Sequence, residues 1–171
     1  MPLRPARCYK DLNKPPYTRK EYIDGIPQPK INKFVMGNPH GDFDVALELV
    51  SYDYAQIRHN ALEAARMAVN KLLERRLGRQ GYFFKINVYP HHILREHKMM
   101  TGAGADRLSK GMKMAFGRPV GLAARVRRGQ NILFVRVNKE NLELAKEALR
   151  RGASKIPTPT RIMIFPVAKE A

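Results

Sequence analysis

The stretch from residue 99 to residue 130 limits most strongly what this chain can fold into. It holds six of the twelve glycines, and seven cations stand there against one acid. Residues 101–119 show neither helical nor strand periodicity, and loops of about twenty residues inside a compact domain are usually functional or disordered. Glycine lets the backbone turn sharply and approach another surface closely. We therefore predict a long basic loop, residues 98–119, that enters a crowded and negatively charged environment.

The charge of the whole chain agrees with this prediction. Thirty-two Lys and Arg face fifteen Asp and Glu, which gives a net charge of +17 and a pI near 10.4. Such an imbalance indicates a polyanionic partner, either nucleic acid or an anionic membrane surface. No apolar run approaches the ~18 residues of a membrane span, and residues 1–16 lack the apolar core of a signal peptide. We expect a cytosolic protein, and the single cysteine, Cys8, permits no internal disulfide.

Residues 1–40 form a second basic segment, with seven of the twelve prolines and eight cations against three acids. Because proline fixes φ and lacks an N–H, we expect an extended, irregular arm. Tyr9, Tyr17 and Tyr22 lie between the cations, so the arm could hold phosphates on its charges and bases on its rings. On this interpretation RNA, rather than the folded core, holds the arm. The alternative is a disordered tail that only raises solubility.

Hydrophobic periodicity places the regular elements between these segments. It predicts that one face of a strand carries Tyr82, Phe84, Ile86 and Val88, and that the inner face of the second helix carries Leu142, Ala145, Ala148 and Leu149. Asp53 and Gln56 are predicted to form the capping box of the first helix, and Gly78 to end it. The predicted elements are a strand over 42–50, a helix over 53–77, a strand over 81–89, a hairpin over 121–138 with its turn at 127–130, a helix over 139–151 and a strand over 161–167. This order predicts a single α+β domain over residues 1–171. A mostly antiparallel sheet carries two helices on one face, and the core, residues 41–171, bears the arm and the loop.

Several residues resemble catalytic or metal sites without matching one. His91, His92, Glu96 and His97 follow none of the zinc-protease spacings, so contact with RNA or plain exposure is the simpler interpretation. Residues 102–104 begin like a dinucleotide fingerprint, but an arginine stands at its sixth position and no strand precedes it. Asp106 has no second carboxylate nearby in the sequence. We predict no catalytic residue, no cofactor and no metal site, and hence no enzyme.

Four sequence strings go beyond composition. They are RPARCYKDLNKPPYTRKEY at 4–22, NALEAARMAVNKLLE at 60–74, GADRLSKGMKMAFGRPVGLAARVRRGQ at 104–130 and EALRRGASKIP at 147–157. Together they resemble the large-subunit ribosomal protein family called ten-e in archaea and eukaryotes, universal sixteen in the common nomenclature. The resemblance covers essentially the whole chain. The chain ends before the longer C-terminal tail of eukaryotic members, so we expect an archaeal source.

The resemblance implies a structural protein of the large ribosomal subunit that binds ribosomal RNA near the aminoacyl-tRNA site. The loop, residues 101–118, would reach towards the peptidyl-transferase centre. Its partners would be ribosomal RNA, neighbouring ribosomal proteins and tRNA in the aminoacyl site, with no membrane. The residues alone also leave open a free-standing tRNA-binding or regulatory RNA-binding protein and an RNA-modifying enzyme. The candidate RNA-binding residues are Arg4, Arg7, Lys10, Lys14, Arg19, Lys20, Lys98, Arg107, Lys110, Lys113, Arg118, Arg125, Arg127 and Arg128.

Overall fold

The computed structural model describes residues 4–9, 12–99, 102–108 and 111–167, which form eight strands, three α-helices and four short 3-10 helices. The strands are β1 (Val35–Gly37), β2 (Val45–Ser51), β3 (Ala55–Arg58), β4 (Phe83–Ile86), β5 (His92–Glu96), β6 (Arg118–Val126), β7 (Asn131–Val137) and β8 (Thr160–Pro166). The α-helices are α1 (His59–Leu77), α2 (Ala105–Leu108) and α3 (Leu142–Ala153). The 3-10 helices are Ala6–Tyr9, Lys20–Tyr22, Gly111–Met114 and Lys139–Asn141.

The strands divide between two antiparallel sheets. The larger sheet has the order β1-β4-β7-β2-β8, and the smaller one has the order β3-β6-β5. Helices α1 and α3 pack on each other, α3 lies against β2, β7 and β8, and α1 contacts β3 and β6. The predicted α+β class, with antiparallel pairing and two packed helices, is confirmed.

The main core lies between the two long helices and the larger sheet. Leu73, Phe84, Leu133 and Leu149 are fully buried there. Gly152 permits a close approach between the helices, because a Cβ atom at this position would lie 2.6 Å from Cγ2 of Val69. Gly152 therefore belongs to helix packing inside α3 and is not the helix stop, which corrects the boundary predicted at residue 151.

The start of the first helix was also predicted wrongly. Residues 55–58 form strand β3, paired with β6 through Ile57 and Ala124, so Asp53 and Gln56 do not cap α1. Gln56 is instead buried in the small sheet. The helical spacing of small apolar residues runs back into this short strand, and pairing with a distant partner overrides the local capping signal. At the other end, Gly78 ends α1 as predicted, with φ of 67° and its N–H bonded to the Glu74 carbonyl at 3.0 Å.

The predicted hairpin over 121–138 is wrong. Strands β6 and β7 follow one another through the turn at 127–130, but β6 pairs with β3 and β5 while β7 pairs with β2 and β4. The turn therefore crosses from the small sheet to the large one. The chain after β4 also continues into strand β5 at His92, where no strand was predicted.

Part of the arm is held by the protein core itself, which differs from the interpretation that RNA alone holds it. Ile31 is 1% exposed and belongs to the main core. Ile23 is buried with Ile93 of β5 and Leu122 of β6 in a second, smaller core, against which Tyr17 and Ile26 also pack. Apolar residues thus fix the second half of the arm on the small sheet, although the composition of residues 1–40 gave little sign of it.

Candidate nucleic-acid interface

The three-stranded sheet brings the arm and the loop together. Backbone bonding adds the arm to the outer side of β5, since the Ile93 N–H donates to the Tyr17 carbonyl at 3.0 Å. The loop leaves from the end of β5 and returns into the start of β6, its neighbour in the sheet. The arm and the loop are far apart in sequence, but both are attached to the three-stranded sheet, which we call the platform.

Two histidines hold the arm, His92 on β5 of this platform and His59 at the start of α1. The Tyr17 N–H donates to Nδ1 of His92 at 2.7 Å, and the Lys30 N–H donates to Nδ1 of His59 at 3.3 Å. Each imidazole must leave Nδ1 unprotonated to accept such a bond. Burial, acting together with the charges of Arg125, His91 and Arg95, lowers the pKa of His92 to about 4. Burial also lowers the pKa of His59, with help from Lys30 and Arg58.

These histidines predict that the free protein loses stability in mild acid. Because their pKa values are lower in the folded chain than the ~6.5 of an unfolded one, the unfolded chain binds more protons between pH 6.5 and pH 4. The contribution to stability is complete above about pH 6.5 and is lost as the pH falls towards 4. Urea unfolding measured across this range should show stability falling as the pH decreases.

The matched variant for this prediction is His92→Asn, which keeps an oxygen acceptor for the Tyr17 N–H but cannot titrate. It should flatten the pH dependence of stability, while His40→Asn, at an exposed position, should leave it as in the original protein. A slope that is equally steep in His92→Asn would contradict the assignment.

Arg95 of β5 joins the arm to the root of the loop. Its guanidinium lies 4.8 Å from the ring centroid of Tyr17 and 4.0 Å from that of Phe116, and the two rings meet edge to face at 6.2 Å. Cation–π contacts of this kind contribute ~0.5–1 kcal/mol at exposed sites. We call Tyr17, Arg95 and Phe116 the arm–loop junction. Arg95 was missed in the sequence because only the tertiary pairing brings its two rings together.

The root of the loop is held closed by close packing. The glycine at 117 is buried, and a Cβ atom there would lie 2.8–2.9 Å from backbone atoms of Glu96 and His97. Further out, Nε2 of His97 is 3.0 Å from the Gly111 carbonyl oxygen. The described loop beyond this point forms only α2 and the 3-10 helix Gly111–Met114, and the side chains of Met112, Lys113 and Met114 are exposed. The loop therefore has a fixed base and projects polar and flexible side chains outward.

The start of the arm meets the same end of the platform. Arg4 pairs with Glu96 at 2.7 Å, and Nη1 of Arg58 donates to the Arg4 carbonyl at 2.8 Å. Arg58 also lies over the Tyr9 ring, 5.8 Å from its centroid. Glu96, which had been weighed as a metal ligand, is thus neutralised by Arg4. Among the described residues, no group of three or more His, Cys, Asp or Glu side chains is placed to hold a metal ion.

The candidate RNA-binding cations are almost all on the surface. Of the twelve that the structure describes, eleven are exposed and Arg125 is half-buried. Lys10 and Lys110 lie outside the described residues. On the arm, Arg7, Lys14 and Lys20 are exposed and Arg19 lies 6.0 Å from the Tyr22 ring centroid. The exposed cations of the loop region and the turn are Lys98, Arg107, Lys113, Arg118, Arg127 and Arg128.

The structure separates the two arginines of the turn. Arg128 lies over the Tyr52 ring, 5.0 Å from its centroid. Arg127 instead lines a cleft beside residues 12–16, where Nη1 of Arg125 donates to the Lys14 carbonyl. Tyr54 lines the same cleft and was not among the predicted residues, because it falls in the segment that had been assigned to the first helix.

No helix in the described part of the chain has the length and apolar character that crossing a membrane requires. The surface of arm, loop and turn has many cations and few acids, in a chain of net charge +17, and its rings lie close to its guanidinium groups. Phosphates on Arg and Lys and bases on aromatic faces are the contacts that such a surface makes with RNA.

Comparison with known proteins gives a consistent result. The family model described as ribosomal protein L16p/L10e matches residues 12–163. The chain is 62% identical over 176 aligned positions to large ribosomal subunit protein uL16 of Hyperthermus butylicus, covering 100% of this chain and 98% of the relative. It is 63% identical over 167 positions to the protein of that name from Staphylothermus marinus, covering 98% and 96%. The Sulfolobus acidocaldarius protein of the same name is 54% identical over 173 positions, covering 100% and 98%.

Proposed function

Since this chain belongs to the ribosomal protein L16p/L10e family, and is thus a structural, non-enzymatic constituent of the large ribosomal subunit, we propose a finer role for its arm and loop. They bind ribosomal RNA beside the aminoacyl-tRNA site, and the loop is directed towards the peptidyl-transferase centre. Proteins of this family in archaea work in the cytoplasm as part of the ribosome.

The observation that carries the proposal is the convergence of arm and loop on one small sheet. The arm is fixed by Ile23 and by the bond from Tyr17 to His92, and the loop by Gly117 and the bond from His97 to Gly111. A rigid base with outward-facing cations allows the arm and the loop to bind separate RNA strands while the core remains outside the RNA. The same geometry would allow the loop tip to touch tRNA in the aminoacyl site.

The candidate RNA-binding residues enter this proposal as phosphate contacts. Arm cations such as Arg7 and Lys20 and loop cations such as Arg107 and Lys113 present their charges without a described acidic partner. Arg4 is different, because its pair with Glu96 fixes the arm. We therefore assign Arg4 to positioning as much as to RNA contact.

The test is the salt dependence of binding between the purified protein and large-subunit ribosomal RNA. If ~6–10 phosphates are neutralised, affinity should fall about 10³–10⁵-fold between 50 and 200 mM salt. Replacing Arg107 and Lys113 together with Ala should lower the slope of log affinity against log salt by about one to two. A nearly flat salt response would contradict the electrostatic account.

The second measurement concerns position rather than affinity. Cleavage of ribosomal RNA by hydroxyl radicals generated from a probe at position 112, on an exposed loop residue, should fall near the peptidyl-transferase centre. A probe at Arg79, exposed after α1 and paired with Glu74, is the control and should cleave elsewhere. Cleavage near the centre from Arg79 but not from position 112 would contradict the proposed direction of the loop.

A further inference from the structure

A cleft of about 530 Å³ lies between residues 12–16 of the arm and the turn at 127–130, and we call it the arm–turn cleft. Its size falls within the ~300–1,000 Å³ of small-ligand pockets. We propose that this cleft holds one unpaired nucleotide of RNA, with the phosphate on its cations and the base against Tyr54. The inference rests on the proposed function in taking RNA as the partner, and it adds a specific site to it.

The walls of the cleft select an anion. Lys14, Arg125, Arg127 and His91 line it, and no Asp or Glu is among the lining residues that the structure describes. One N–H of Arg125 donates to the Lys14 carbonyl. Its buried Nε has no hydrogen-bond partner among the described residues. A half-buried guanidinium with unused donors is suited to a phosphate, which accepts several charge-assisted bonds in the plane of the fork.

The same cleft offers a surface for a base. Tyr54 is 65% exposed although it lines the cleft, and Pro15 and Pro16 supply an apolar wall beside it. Unpaired RNA bases commonly stack on exposed aromatic rings next to cations. Tyr52, two residues earlier, differs because the guanidinium of Arg128 already lies over its ring. The two tyrosines therefore form a matched pair, one free to stack a base and one already in contact with a cation.

The turn that forms one wall is rigid before any ligand arrives. The Arg127 N–H donates to Oε1 of Gln130 at 2.9 Å, and the Gly129 N–H donates to the Ser51 carbonyl at 2.9 Å. The Ser51 N–H in turn donates to the Gln130 carbonyl at 2.9 Å. These bonds tie the turn to the end of β2, so binding there orders few groups and loses little entropy.

The experiment follows amide signals of the full chain by two-dimensional NMR during titration with adenosine 5′-monophosphate. Signals of Lys14, Tyr54 and Arg127 should shift and saturate. Tyr54→Ala and Arg127→Ala should each weaken binding about fivefold or more, the lower end expected for loss of one stacked base. Tyr52→Ala and Arg150→Ala, the latter an exposed arginine on α3, should change it by less than about twofold.

Two further ligands test whether both halves of the nucleotide are recognised. Adenosine and inorganic phosphate should each bind about fivefold more weakly than the nucleotide, because each lacks one of the two contacts. The inference would be overturned if inorganic phosphate bound as tightly as adenosine 5′-monophosphate and its affinity were the same in Tyr54→Ala. It would also be overturned by the absence of any saturable shift in a protein whose binding to ribosomal RNA still shows a steep salt dependence, and that result would leave the proposed function intact.

A photoreactive benzoylphenylalanine in place of Tyr54 tests the occupant in the assembled large subunit. We expect its crosslink to form with ribosomal RNA at a single position. A crosslink to another protein would overturn the proposal, since it would show that a polypeptide fills the cleft.

Discussion

Deleting residues 102–113 is expected to leave the protein folded and able to join large subunits that make almost no peptide bonds. The deletion removes α2 and most of a 3-10 helix but keeps the arm–loop junction and Gly117. The cost of closing a loop changes by only ~0.6 kcal/mol per doubling of its length. The melting temperature of the free protein should therefore change by a few degrees at most, while peptide-bond formation by subunits carrying the variant should fall to a small fraction.

An equal-length replacement separates the length of the loop from its chemistry. A glycine–serine segment in place of residues 102–113 restores the span without Arg107 and Lys113, and we expect it to remain defective. Full activity of either variant would mean that the loop is a passive spacer. A large drop in melting temperature in both would mean that the loop belongs to the core.

Among substitutions that add a single methyl group, Gly117→Ala should have the largest effect on this candidate interface. The new Cβ would lie 2.8–2.9 Å from backbone atoms of Glu96 and His97, which cannot move aside as a side chain could. Overpacking of this kind typically costs ~1–3 kcal/mol. Strands β5 and β6 must separate at the root of the loop, so translation should suffer together with stability. Urea unfolding and peptide-bond formation are the two measurements.

Gly121→Ala, four residues further on and inside β6, is the matched control. A Cβ there would meet only Nε2 of His59, at an ordinary 3.6 Å. We expect its stability to stay within about 0.5 kcal/mol of the original protein. If the two alanine variants behave alike, close packing at the loop root is not what holds the loop.

Local signals predicted the parts of the fold that depend on local contacts. The spacing of Ala145, Ala148 and Leu149 placed the inner face of α3, and the positive φ at Gly78 ended α1 as expected. The strand face of Tyr82, Phe84, Ile86 and Val88 is also buried as predicted. In each case a periodic pattern or a backbone requirement is enough to decide the structure.

The predictions are wrong where the structure of a segment depends on pairing with residues far away in the sequence. Strand β3 is too short to show its own period, and only pairing with β6 separates Ile57 from the helix that follows. The turn at 127–130 has the sequence of a hairpin, yet its two strands find partners in different sheets. In the candidate interface, charge alone was enough to expect that the cations lie on the surface. The contacts of Arg95 and His92 and the place of Tyr54 could not be predicted, because only the tertiary fold brings these residues beside the arm, which lies far away in the sequence.

The position of β2 has a consequence for how the protein is made. This central strand is buried along almost its whole length, and its neighbours β7 and β8 both come from the far end of the chain. Long-range pairing of this kind slows folding. At ~5–20 residues per second, the ribosome needs on the order of ten seconds to proceed from β2 to β8. Until β7 and then β8 have been made, the edges of β2 have no partner and are open to any other strand. The interval during which the nascent chain can aggregate is therefore set by the rate of translation rather than by the rate of strand pairing.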